Sequence, residues 1–298
     1  MLKEWPLVAF TIVGQMAVGV YLTAFFPWAL LAVVFPASAG PPPDGATQGL
    51  RIALLALVFA LLAAAALVSF FHLHHPFRAR YVLSNLRSSW LSREILFELG
   101  FMAFVALGVF LTWRQPTGVG LLNAVLALAG LMGIMFLVSM SKLYMLPAAP
   151  AWNHAYTPLS FIMTALALGA MATALLIDIL AGGRQIFGYL LLLSFPLVGA
   201  KIIFSLFLTP GHGIYGSRSG PSLRPPAETP RLLHLGRLTL LTAGLVLIGA
   251  AIIARDVEFR AATGSGVSGL LAVAFVLVLA SEVAGRFLFY GLLTRPGR

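Results

Sequence analysis

The sequence predicts an all-α integral membrane protein, a bundle of eight transmembrane helices. Three observations carry this. Hydrophobic residues fill 60% of the 298 positions and charged residues only 9%, where an ordinary soluble protein has roughly 25% charged. Mean hydropathy is +0.98. The sequence also divides into eight apolar runs of about 20 residues or more, the length a helix needs to cross roughly 30 Å of hydrocarbon. Backbone polar groups must pair internally in lipid, which selects helices, and the period-two alternation of a β-barrel is absent.

The runs, taken in order, are about 7–35, 50–71, 94–113, 119–141, 158–181, 185–208, 235–254 and 267–292, within a single transmembrane domain over residues 1–298. The first resembles a signal peptide in ending on Ala37-Ser38-Ala39. Its apolar stretch is about twice the usual length and its leading segment sets one Lys beside Glu4, so it is read as a helix. PPPDG at 41–45 is a rigid turn before the second run. Between the second and third lies FHLHHPFRARYVLSNLRSSWLSREI, at 71–95, with three of the six histidines. Pro76 ends the helix that precedes it. The segment 209–230 is rich in Pro, Gly and Ser and reads as irregular. No internal repeat is visible.

Eight spans return the polypeptide to the side on which it began. Twelve of its nineteen Lys and Arg residues fall on that side, among them Lys3, Arg78, Arg80, Arg87, Arg93 and Lys142. Five fall on the other, Arg51, Arg114, Arg184, Arg255 and Arg260, and Lys201 and Arg286 lie inside spans. The positive-inside rule then puts both termini in the cytoplasm. The net charge of +10 is spread between apolar runs, which favours lipid head groups or a membrane-docked protein partner over nucleic acid. The absence of cysteine excludes disulfides, thiolate metal sites and iron–sulfur ligation by this chain.

Ionisable residues inside a membrane are costly, so each is a functional candidate. Glu282 and Arg286 stand four apart on one helix face, as a structural ion pair or as a proton or ligand contact. Glu94 and Glu98 repeat that spacing. Glu94 adjoins the polar loop, where a helix N-terminus favours a carboxylate. Lys201 can snorkel. Adjacent His74 and His75 diverge on either helix or strand, which weakens a metal site. A b-type haem needs two facing histidines, and only His72 is placed for it. His72 also suits a hydrogen-bonding, proton-accepting role at the mouth of a site for a lipid-soluble ligand. A second class stays open, a transporter or channel using Glu282, Arg286 and Lys201 as a charged path.

Four blocks in order resemble the membrane anchor subunit of the dimethyl sulfoxide reductase family and its polysulfide-reductase-type relatives. They are EWPL at 4–7 with Phe10-Thr11 and Gly14-Gln15; His72-Leu73-x-x-Pro76-x-Arg78-Ala79 with Ser89-x-Leu91-Ser92-x-Glu94-Ile95; Tyr144, Pro150-x-Trp152 and Thr157-Pro158; and Glu282-x-x-Gly285-Arg286-x-x-Phe289-Tyr290-Gly291. The resemblance implies an anchor that binds menaquinone or ubiquinone and exchanges electrons with an iron–sulfur partner subunit, beside a molybdopterin catalytic subunit, in anaerobic or sulfur respiration. It implies no haem or metal in this chain. It makes His72 the hydrogen-bond partner of the quinone oxygen and Glu94 the proton relay. Arg78 would hold the loop or meet the partner, and Tyr144, Trp152 and Tyr290 would line the ring pocket. His74 and His75 depart from the family's small residues, and 209–230 has no counterpart.

Overall fold

The computed structural model describes residues 5–25, 45–70, 85–114, 119–145, 152–181, 184–207, 228–261 and 266–291. Eight helices fill these segments: α1 (Trp5–Ala24), α2 (Gly45–Phe70), α3 (Trp90–Arg114), α4 (Val119–Tyr144), α5 (Tyr156–Ala181), α6 (Arg184–Phe207), α7 (Glu228–Ala261) and α8 (Gly266–Gly291). No strand occurs among the described residues. Each helix contains a stretch long and apolar enough to cross a membrane. Large apolar side chains such as Ile179, Tyr189, Leu232 and Ile253 are exposed on the outside, as lipid-facing surfaces require.

Several boundaries differ from the sequence reading: α2 already begins at Gly45, the last residue of the expected turn. α3 begins at Trp90, four residues early, because Ser89 caps it: the Ser92 amide donates to Ser89 Oγ at 3.2 Å. α7 extends well past the apolar run at both ends, into sequence that hydropathy alone excludes. α6 contains Pro196 in its interior, which removes one helical hydrogen bond without ending the helix; in membranes neighbouring helices make this tolerable.

The packing repeats although the sequence does not. Helices α1–α4 close into one four-helix bundle, each touching the next and α4 returning to α1. Helices α5–α8 close in the same order. The bundles meet chiefly through their first helices, α1 and α5, which are also the most buried of the eight. Their backbones touch at a glycine crossing. A Cβ built on Gly19 would lie 1.7 Å from the Ala165 carbonyl oxygen, and one on Gly169 would lie 2.1 Å from the Gly19 carbonyl carbon. Small residues allow such approach in lipid, where packing rather than hydrophobic expulsion joins helices. Next to the crossing, the Thr23 and Thr173 hydroxyls pair at 3.0 Å.

Candidate functional site

Buried polar side chains concentrate where the polypeptide begins and ends. The α1 start, the α4 end, the α5 start and the α8 end converge there. The Tyr290 hydroxyl donates to Tyr144 at 2.9 Å and lies 3.5 Å from Thr11 Oγ1. Trp152, in the turn before α5, donates its indole N–H to the Phe289 carbonyl at 2.8 Å and stacks on the Phe289 ring at 5.0 Å. Thr157 fixes that turn by donating to the Trp152 carbonyl at 2.7 Å. The Tyr144 ring meets Trp152 edge-on at 5.4 Å and Tyr290 at 5.5 Å. Three residues expected near a ring pocket, Tyr144, Trp152 and Tyr290, are thus brought together as one aromatic wall.

Glu94 joins them from α3. It is only 2% exposed, and its charge acts on both tyrosines. The earlier cap changes its role from the one expected. Glu94 is not at the helix N-terminus but about 6 Å along the axis, too far in to compensate open backbone amides. Glu98, 6% exposed, lies one turn deeper and acts on Glu94. Glu94 Oε2 and Glu98 Oε1 have no hydrogen-bond partner among the described residues. A buried carboxyl with an open oxygen is expensive unless something else meets it.

His72 and Arg78, the other two residues expected at this site, lie outside the described residues, as do His74 and His75. Arg93 is tied to its own loop. It donates to the Leu86 and Arg87 carbonyls at 2.8 and 2.6 Å and lies over the Trp90 ring. The loop end is thereby pinned to the helix that bears Glu94.

The expected Glu282–Arg286 ion pair does not form as such. Glu282 Oε2 meets Lys201 Nζ at 2.7 Å, and Thr164 Oγ1 sits 2.7 Å from the same oxygen. Lys201 also donates to Thr164 Oγ1 at 2.5 Å. Lys201 therefore does not snorkel; it is buried and paired across α6 and α8. Arg286 turns the other way. It donates to Gln15 Oε1 at 2.8 Å and lies 3.7 Å over the Phe161 ring. The i, i+4 spacing allowed the pair, but each group found a stronger partner on another helix. Arg237, on α7, is buried and fills a notch beside Gly285, where a Cβ would stand 2.7 Å from its Nε. Its charge acts on both Lys201 and Glu282. Gln15 was visible only as part of a motif, and nothing in the sequence ranked Arg237 above other arginines.

No group of three or more His, Asp or Glu side chains among the described residues is arranged to hold a metal ion. The opposite end of the bundles is simpler: Ser268 hydrogen-bonds Asp178, and Gln48 donates to the Thr112 carbonyl at 2.9 Å.

Comparison with known proteins gives the family. The family model of the DMSO reductase anchor subunit, DmsC, matches residues 1–292. The protein belongs to the DMSO reductase anchor subunit family. Similar relatives in this family include YnfH, a subunit of an anaerobic dimethyl sulfoxide reductase of Escherichia coli, 28% identical over 97% of this protein and 94% of the relative. The C subunit of the anaerobic dimethyl sulfoxide reductase of Haemophilus influenzae is 27% identical over 98% and 95%, and its E. coli namesake is 26% identical over 97% and 94%. No solved structure matches the protein. Membership makes this a multi-pass membrane anchor of a molybdoenzyme complex, with catalytic and iron–sulfur partner subunits.

Proposed function

We propose that this anchor oxidises membrane quinol and passes its electrons to an iron–sulfur partner subunit, which feeds a molybdopterin catalytic subunit. The observation that carries the proposal is Glu94: a buried carboxyl with an open oxygen, beside an aromatic wall, on the helix that follows the His72 loop. These residues fit a quinol. The wall of Tyr144, Trp152 and Phe289 offers an apolar flank for a flat ring, and the carboxylate offers an acceptor for a hydroxyl proton. A bound quinol supplies two electrons and two protons. His72 would hydrogen-bond a ring oxygen and Glu94 would receive a proton from it. Arg78 would hold the loop against the partner. The names of the relatives, all reductases, favour quinol oxidation over quinone reduction. The Lys and Arg distribution favours cytoplasmic termini, and the relatives, all bacterial, favour an inner membrane.

The test uses the assembled complex. His72→Ala should abolish turnover driven by a short-chain quinol, and Glu94→Gln should slow it about tenfold or more. Both should leave turnover driven by a reduced viologen dye intact and the partner subunits attached. Full quinol-driven turnover in both variants would sink the proposal, and loss of partner subunits in Glu94→Gln would make that residue structural.

A further inference from the structure

The buried charges of the described residues form a balanced set that is unevenly placed. Among them are three carboxyls, Glu94, Glu98 and Glu282, and three strong bases, Lys201, Arg237 and Arg286. The bases and Glu282 all belong to the second bundle, where Glu282 pairs with Lys201 and Arg286 turns away to Gln15. Glu94 and Glu98 belong to the first bundle, on one helix, with no salt-bridge partner among the described residues. Between the two groups lies the Tyr144–Tyr290 pair, on which both Glu94 and Arg286 act. Each of the two carboxyls of α3 has an oxygen left open.

Quinol oxidation releases two protons, while one carboxylate accepts one. We propose that Glu98 is a second proton acceptor, so that the Glu94–Glu98 pair takes up both protons of one quinol. This rests on the quinol reading above. Both O–H bonds of the quinol break. The first proton reaches Glu94 and moves one turn inward to Glu98, about 6 Å, and the second then occupies Glu94. The two electrons leave one at a time to the iron–sulfur centre of the partner. The pair passes from two negative charges to none, which relieves the repulsion between two carboxylates one turn apart. Release of the protons toward the loop side restores the pair for another quinol.

The test is infrared difference spectroscopy on the assembled complex, before and after reduction by a short-chain quinol, with cluster reduction followed by electron paramagnetic resonance. Two protonated-carboxyl bands should appear in the native complex. One should vanish in Glu94→Gln and the other in Glu98→Gln, and Glu98→Gln should reduce the clusters about tenfold more slowly. Glu98→Asp, which keeps the carboxyl and guards against a folding defect, should shift its band without losing it. Native spectra that neither Glu98→Gln nor Glu98→Asp alters would overturn the inference, whatever the rates. Failure of quinol to reduce the clusters of the native complex would instead overturn the quinol reading itself.

Discussion

The two bundles share one packing order but treat buried charge in opposite ways. In the second, Glu282, Lys201 and Thr164 satisfy one another at 2.5–2.7 Å, and Arg286 is held by Gln15 and the Phe161 ring. In the first, Glu94 and Glu98 are as deeply buried but have no salt-bridge partner among the described residues, although Glu282 too keeps one oxygen, Oε1, open. A carboxylate locked to an ammonium holds helices in place and cannot change its proton cheaply. A carboxyl without a direct counter-charge contributes little to packing and is free to gain or lose one. The contrast separates a clamp from an exchange site within one continuous polar end of the molecule.

The largest effect should come from forcing the bundles apart. Gly169→Leu places a side chain where the Gly19 backbone already lies and should abolish the folded subunit, seen as loss of a monodisperse detergent-extracted complex. Overpacking alone costs about 1–3 kcal/mol, and here the obstacle is backbone. Next is the clamp. Lys201→Met strands Glu282 and should destabilise by about 3–5 kcal/mol. The double variant with Glu282→Met should recover most of that, as measured by a double-mutant cycle in detergent unfolding. If the single and double variants were equally destabilised, the pair would not be the clamp described.

A smaller loss, about 1 kcal/mol, is expected for Trp152→Phe, which keeps the ring stack but removes the indole donor to the Phe289 carbonyl. The smallest belongs to the exchange site. Glu98→Gln should change stability by less than about 1 kcal/mol, since no salt bridge among the described residues is lost. A loss comparable to that of Lys201→Met would erase the difference between the bundles.

Much of the fold was legible from hydropathy, because a bilayer fixes how long an apolar run must be. All eight spans emerge from that rule, with ends displaced where side chains rather than hydropathy set them, as Ser89 does for α3. The family was legible in short blocks, and the Glu94–Glu98 spacing was visible on a single helix. The clamp was not. Lys201 and Glu282 are 81 residues apart, and sequence spacing favoured the nearer Arg286. Local periodicity reports which residues share a face of one helix but not which face meets which. The two-bundle arrangement was hidden for the same reason: its repetition lies in contacts between helices whose sequences have no common pattern.

The contacts from Arg286 to Gln15 and from Tyr290 to Thr11 join residues 271 and 279 positions apart. During synthesis the first helix therefore enters the bilayer with Gln15 and Thr11 waiting for partners that the ribosome makes 271 and 279 residues later. The N-terminal bundle can gather early, but the seam is sealed only when the final helix arrives. A stop codon in place of the Arg286 codon should leave a product that inserts yet is cleared by quality-control proteases.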